Sequence, residues 1–188
     1  LDNFEWSMDK TTWFPVWKET RNHGERIPFA TISLNRFGTI DKILEENGKL
    51  PIGHELISEA WDLRFSSPRS SLVIAFAALE AGLKETIVSL EPATEWLAME
   101  VPSPPLVKML KHYFPKLPAK CGSPIKIPTT LIKQIEKGVE LRNDVIHLGA
   151  ESPQKEKLIS LLISIREVLW ICDYALGHEW ALDFLDYD

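Results

Sequence analysis

Leu72-Val73-Ile74-Ala75-Phe76-Ala77-Ala78-Leu79-Glu80-Ala81-Gly82-Leu83 is apolar on nearly every side of a helix. Such a helix belongs in the middle of a bundle or in an interface, since no face of it suits water. Ser67-Pro68 opens it, with Pro at the first helical position, where its missing N–H costs nothing. Ala75, Ala78 and Gly82 are small enough to let another helix come close. This one segment sets the expected fold class as all-α.

The flanking sequence repeats the helical pattern. Ile52, Leu56, Ile57, Ala60 and Leu63 recur at three- and four-residue steps, which predicts an amphipathic helix. Glu91-Pro92 starts a short helix containing Trp96, Leu97 and Met99, and Pro102-Ser103-Pro104-Pro105 interrupts. Leu106 to Phe114 resumes as a helix with its lysine side exposed. Pro115 through Pro128 holds four prolines and one glycine and reads as a loop. Pro128-Thr129-Thr130 begins a helix whose buried stripe is Leu131, Ile135, Val139 and Ile146, with Gly149 as its C-terminal cap. Ser152-Pro153 opens the last long helix, lined by Leu158, Leu161, Leu162, Ile165, Leu169 and Cys172, and Leu176-Gly177 stops it. The expectation is an up-and-down bundle of four long helices with short extras, and no repeats.

Residues 1–49 read differently. Phe4, Trp6, Trp13, Phe14 and Trp17 cluster without helical spacing, as core filling rather than a stacking platform. Ile27 to Leu34 suggests a short strand weakened by Pro28, and Thr39 to Leu44 a short helix. The division expected is an irregular N-terminal arm, or the remnant of an upstream domain, over 1–49, and a helical domain over 50–188 with an acidic tail. Leu1 in place of an initiator Met makes the chain, by expectation, a fragment of a longer protein.

Composition bounds the function classes. The chain has 188 residues, 45% hydrophobic and 26% charged, values that suit a folded core. No run approaches the roughly 18 apolar residues of a membrane span, and a cytoplasmic location without membrane contact is expected. Two cysteines, Cys121 and Cys172, are too few for a disulfide framework or a zinc cage. His23, His54 and His178 lack ligand-like neighbours, so neither a metal nor a cofactor is expected. The net charge of −6 argues against a generally basic nucleic-acid binder. The distribution softens this: Lys108, Lys111, Lys116, Lys120, Lys126 and Lys133 occupy residues 101–135 without one acid. A phosphate backbone feels that local potential. Lys108, Lys111, Lys116 and Tyr113 are the expected RNA contacts, against the plainer reading of a solvated face. Asp173 to Asp188 carries five acids and no Lys or Arg, a tail that would cover a basic site or meet a partner.

The chemistry-bearing stretch is Leu141-Arg142-Asn143-Asp144-Val145-Ile146-His147-Leu148-Gly149. A guanidinium holds phosphate through paired donors, and an imidazole moves protons near neutral pH. Asn143 lies one turn before His147 and shares its face. Arg142 stands about 140° round at roughly 100° per residue, so only its length lets it reach the same site. A helix C-terminus favours a cationic side chain, which suits His147 to general-acid work. The plain alternative is that Arg142 pairs with Glu140 or Asp144 and that His147 merely caps its helix. Asp144 reads as solvated or pairing, since an acid beside a phosphate site repels substrate.

Arg142 to His147 fits an Arg-x4–6-His motif with a polar residue after the Arg, and Pro68 to Glu80 looks like an early core helix. Over about residues 51–176 the chain thereby resembles the HEPN family, the all-α domains of higher eukaryotes and prokaryotes nucleotide-binding type. The resemblance implies a metal-independent endoribonuclease, built as a homodimer whose two motifs face each other in one cleft. Many members are toxins or antiviral effectors held in check by a protein partner. The roles implied are His147 as acid or base, Arg142 on the scissile phosphate and Asn143 orienting His147. Other members are inactive and serve for dimerisation or for binding a partner or nucleotide, which is the alternative for this chain. A third reading is a sensor domain whose activity lies upstream.

Overall fold

A computed structural model describes residues 50–100 and 105–184, together with residues 5–6 and 14–15. The chain divides into two compact units, Leu1–Gly48 and Lys49–Asp188. Within the first, strands β1 (Glu5–Trp6) and β2 (Phe14–Pro15) pair antiparallel, with Glu5 opposite Pro15 and Trp6 opposite Phe14. The strand expected at 27–34 and the helix at 39–44 lie outside the described residues.

The second unit is all-α. Its main helices are α1 (Ile52–Leu63, 12 residues) and α2 (Pro68–Leu90, 23 residues), then, after the short α3 (Glu95–Glu100) and α4 (Leu106–Lys108), α5 (Thr129–His147, 19 residues) and α6 (Lys155–Ala175, 21 residues). Three of the four helices expected to be long are so, and α1 is three turns. Helix α2 packs most extensively on α1 and α6, as its nearly uniform apolar surface demands. Leu72, Ala75, Phe76, Ala78, Leu79 and Leu83 are buried, while Val73 and Ala77 stay at the surface. Ser71 Oγ donates to the Ala60 carbonyl at 2.6 Å, tying the start of α2 to α1.

The small residues act as expected. A Cβ built on Gly53 would stand 3.0 Å from Gly82 Cα and 3.1 Å from the Ala78 carbonyl oxygen, so α1 and α2 touch backbone to backbone. Backbone cannot step aside as a flexible side-chain tip can. Gly53→Ala is therefore expected to cost about 1–3 kcal/mol by overpacking, more than the roughly 1 kcal/mol that Ala gains over Gly in helix propensity. Urea unfolding checks this; an unchanged or raised midpoint would contradict the close crossing.

Three departures from the expected pattern have physical causes. The helix over 106–114 becomes one α turn, a π segment (Met109–Tyr113) and a 3-10 turn (Phe114–Lys116). Pro115 lacks an N–H and its ring crowds the carbonyl four residues back, so the α ladder cannot run through it. Helix α6 starts at Lys155 rather than at Ser152-Pro153, because the chain stays extended through Gln154 (ψ 141°) and buries Pro153 first. The acidic tail begins one element too early in the expectation. Asp173 belongs to α6, is buried, and takes a 2.8 Å hydrogen bond from His54 Nε2 of α1. Beyond it a 3-10 helix (Glu179–Phe184) folds back on α6. Among the described residues no helix is long and apolar enough to cross a membrane.

Candidate functional site

Helix α5 approaches its neighbours through Gly138, whose added Cβ would meet Leu161 of α6 and, at 2.9 Å, Phe76 Cζ of α2. Arg142 follows Gly138 by one turn and so rises on the same side. Its guanidinium carbon lies 5.9 Å from the Phe76 ring centroid, within cation–π range. Arg142 is half-buried, whereas Asn143 and His147 are exposed on the adjacent face. Among the described residues none of the three side chains has a hydrogen bond or ion pair, so the pairing of Arg142 with Glu140 or Asp144 is not formed. Asp144 instead lines a cleft between α5 and α6 that Arg142 does not line.

The end of α5 is held from two directions. Gly149 caps it at φ 63°, a conformation that glycine adopts without a Cβ penalty. The Leu148 and Ala150 N–H groups both return to the Asp144 carbonyl, at 3.0 and 3.2 Å. Arg69, in the first turn of α2, donates from Nη2 to the Ala150 carbonyl at 2.8 Å. Arg69 thereby fixes the turn that follows His147. Ile146, expected on the buried stripe of α5, is instead 43% exposed, and with Leu148 at 77% it puts two large apolar side chains at the surface beside the imidazole.

Two clefts of about 490 and 690 Å³ run between α5 and α6. Thr130, Gln134, Ile159 and Ile163 line the first, and Ser164 Oγ bonds Gln134 Oε1 across it at 2.6 Å. Neither is lined by Arg142, Asn143 or His147.

The lysine segment is only partly available. Lys111 Nζ lies 3.2 Å from Glu136 of α5, so its charge is already matched, while Lys108, Lys116 and Tyr113 remain exposed. Glu136 precedes His147 by eleven residues, about 16 Å along the helix at 1.5 Å per residue. The segment therefore flanks the site at a distance.

No protein-family model, curated protein or solved structure matches this chain. Its own residues are what point to a function.

Among the described residues no group of three or more His, Cys, Asp and Glu is placed to hold a metal ion. Cys121 is half-buried and Cys172 fully buried. Burial pushes the Cys172 thiol up to about 12, a hydrogen bond with Thr86 opposing and the Asp173 charge adding. At pH 8 iodoacetamide should label Cys121 in the native chain and reach Cys172 only after unfolding, read by mass spectrometry of the peptides. Native labelling of Cys172 would contradict its burial. The sign for stability follows: folding keeps a proton that the unfolded thiol releases above its usual 9.0. This contribution is whole below that pH and lost as pH rises towards about 12.

Proposed function

We propose that the chain is a metal-independent endoribonuclease of the HEPN type, acting through Arg142, Asn143 and His147. The observation that carries this reading is the clamped end of α5. Arg142 and His147 project from one helix terminus, unpaired among the described residues, and Gly149 and Arg69 hold the following turn in place. His147 abstracts the 2′-OH proton or protonates the leaving 5′ oxygen, and only RNA offers that hydroxyl. Arg142 binds the scissile phosphate and the charge that grows on it. Asn143 orients the imidazole or binds a phosphate oxygen. One imidazole cannot be acid and base at the same moment, so two copies in a homodimer supply both. The exposed Ile146 and Leu148 give such a dimer apolar surface to bury beside the site. A toxin or antiviral effector in the cytoplasm, restrained by a protein partner, is the biological role that goes with this chemistry.

Attack by the 2′ oxygen leaves a 2′,3′-cyclic phosphate on the 5′ fragment. Cleavage in excess EDTA should yield that end group, seen by mass spectrometry of the fragments, and RNA with a 2′-deoxy residue at the cut position should resist. A 5′-phosphate on the downstream fragment would contradict the mechanism.

The same exposed apolar pair favours a second reading, a catalytically silent HEPN module that dimerises or binds a partner or nucleotide. It is distinguished by RNA that stays intact while the chain still dimerises through Ile146 and Leu148.

A further inference from the structure

Arg69 and Arg142 meet the same seam between α2 and α5. Phe76 follows Arg69 by seven residues, within about 20° of two full turns at roughly 100° per residue, so the two share a side of α2. On that side Phe76 carries the Arg142 guanidinium at 5.9 Å, and Arg69 holds the Ala150 carbonyl at 2.8 Å. Helix α5 therefore runs along α2 towards its start, and His147 falls between the two arginine contacts. Along α2 those contacts are about 10 Å apart at 1.5 Å per residue.

The clamp on Ala150 leaves most of Arg69 unused. A guanidinium has five N–H donors in a rigid fork, and the carbonyl takes one of them. That acceptor is neutral, so it orients the group without matching its charge. Arg69 is exposed and has no carboxylate partner among the described residues, and neither has Arg142. Ser70 and Val73, the exposed residues of α2 between Arg69 and Phe76, are uncharged. The seam thus presents two oriented guanidiniums, neither matched by a carboxylate, on either side of His147. One phosphate would match only one of them.

We propose that Arg69 is a second phosphate-binding residue, which takes a phosphate neighbouring the one on Arg142. The substrate is then an internal linkage of an RNA strand, with a further phosphate beside the one that is cut. Paired donors on a phosphate oxygen edge are what a guanidinium supplies best. The inference rests on the ribonuclease reading for what Arg142 holds, but its first prediction is binding and not cleavage.

The binding test uses the full chain carrying His147→Ala, so that bound RNA survives. It follows anisotropy of a fluorescein-labelled 20-nucleotide single strand in EDTA over a range of salt. Arg69→Gln should weaken binding about tenfold by removing a charge-assisted contact. It should also reduce the slope of log K against log salt by about 0.7, the share of one phosphate on a single strand. Arg69→Lys keeps the charge and should keep the slope. Lys and Gln both offer the Ala150 carbonyl an N–H, so a purely structural Arg69 would not separate them. Ser70→Glu leaves the Ala150 bond in place and sets an acid beside Arg69. It should weaken binding too, so a folding failure of Arg69→Gln leaves a second variant to decide.

With His147 in place, Arg69→Gln should slow cleavage of the 20-nucleotide strand and spare a dinucleotide, whose one phosphate is the scissile one. The phosphate site is overturned if Arg69→Gln leaves the salt slope unchanged, if Lys lowers it as much as Gln does, or if no RNA binds. Equal slowing of both substrates also overturns it, since that assigns Arg69 to holding the turn alone. RNA bound through Arg69 but never cut upholds the site and sinks the ribonuclease reading. RNA cut with no dependence on Arg69 does the reverse.

Discussion

His147→Ala is expected to slow RNA cleavage by about 10²–10⁴-fold, the range a positioned general acid or base supplies. The side chain is exposed and has no hydrogen bond, ion pair or ring contact among the described residues, so stability should move by less than about 0.5 kcal/mol. Arg142→Ala should cost about 10²–10³-fold through lost charge stabilisation in the transition state. Arg142→Lys should restore little, because an ammonium lacks the paired donors that hold a phosphate in one orientation. Single-turnover rates on one RNA, set beside thermal melts of the same variants, separate chemistry from folding. Loss of cleavage together with a large fall in melting temperature would assign these residues to structure instead.

The second large effect is expected at Phe76. The ring is buried, is met by the seam at Gly138, and carries the Arg142 guanidinium at 5.9 Å. Phe76→Ala should destabilise by about 3–5 kcal/mol, the usual cost of emptying a buried aromatic site. At about 2–4 °C per kcal/mol this lowers the melting temperature by roughly 6–20 °C. Phe76→Leu nearly conserves volume and should cost less than about 1.5 kcal/mol. It nevertheless removes the aromatic face beneath Arg142. A Leu variant that is stable and less active would show the ring acting through Arg142, while equal activity would reduce Phe76 to packing. Differential scanning fluorimetry and the cleavage assay read the two effects.

Elements governed by local rules are legible in the amino-acid sequence. Pro68 can be seen to open α2 and Gly149 to cap α5, because each choice depends on one residue's backbone. The apolar surface of residues 72–83 locates the centre of the domain for the same reason. Pairings between distant elements are not legible. Nothing near Asp173 in the chain marks it as the partner of His54, 119 residues away, so it reads as the first acid of a tail. Lys111 reads as a free cation because Glu136 lies 25 residues on. The cation–π contacts that link Trp61, Arg64, Arg166 and Trp170 leave only faint local traces. Trp61 and Arg64, and Arg166 and Trp170, stand three and four residues apart on their helices, spacings that place side chains side by side. Arg142, Asn143 and His147 stand out because their chemistry is local too. That Arg142 lies over Phe76 follows from how α5 crosses α2 at Gly138, which no spacing within α5 reveals.

The most direct test of the account is cleavage of a labelled single-stranded RNA in excess EDTA by the intact chain and by His147→Ala. The account predicts cutting by the intact chain that the substitution removes. RNA left whole by both proteins, or cut equally by both, would contradict it.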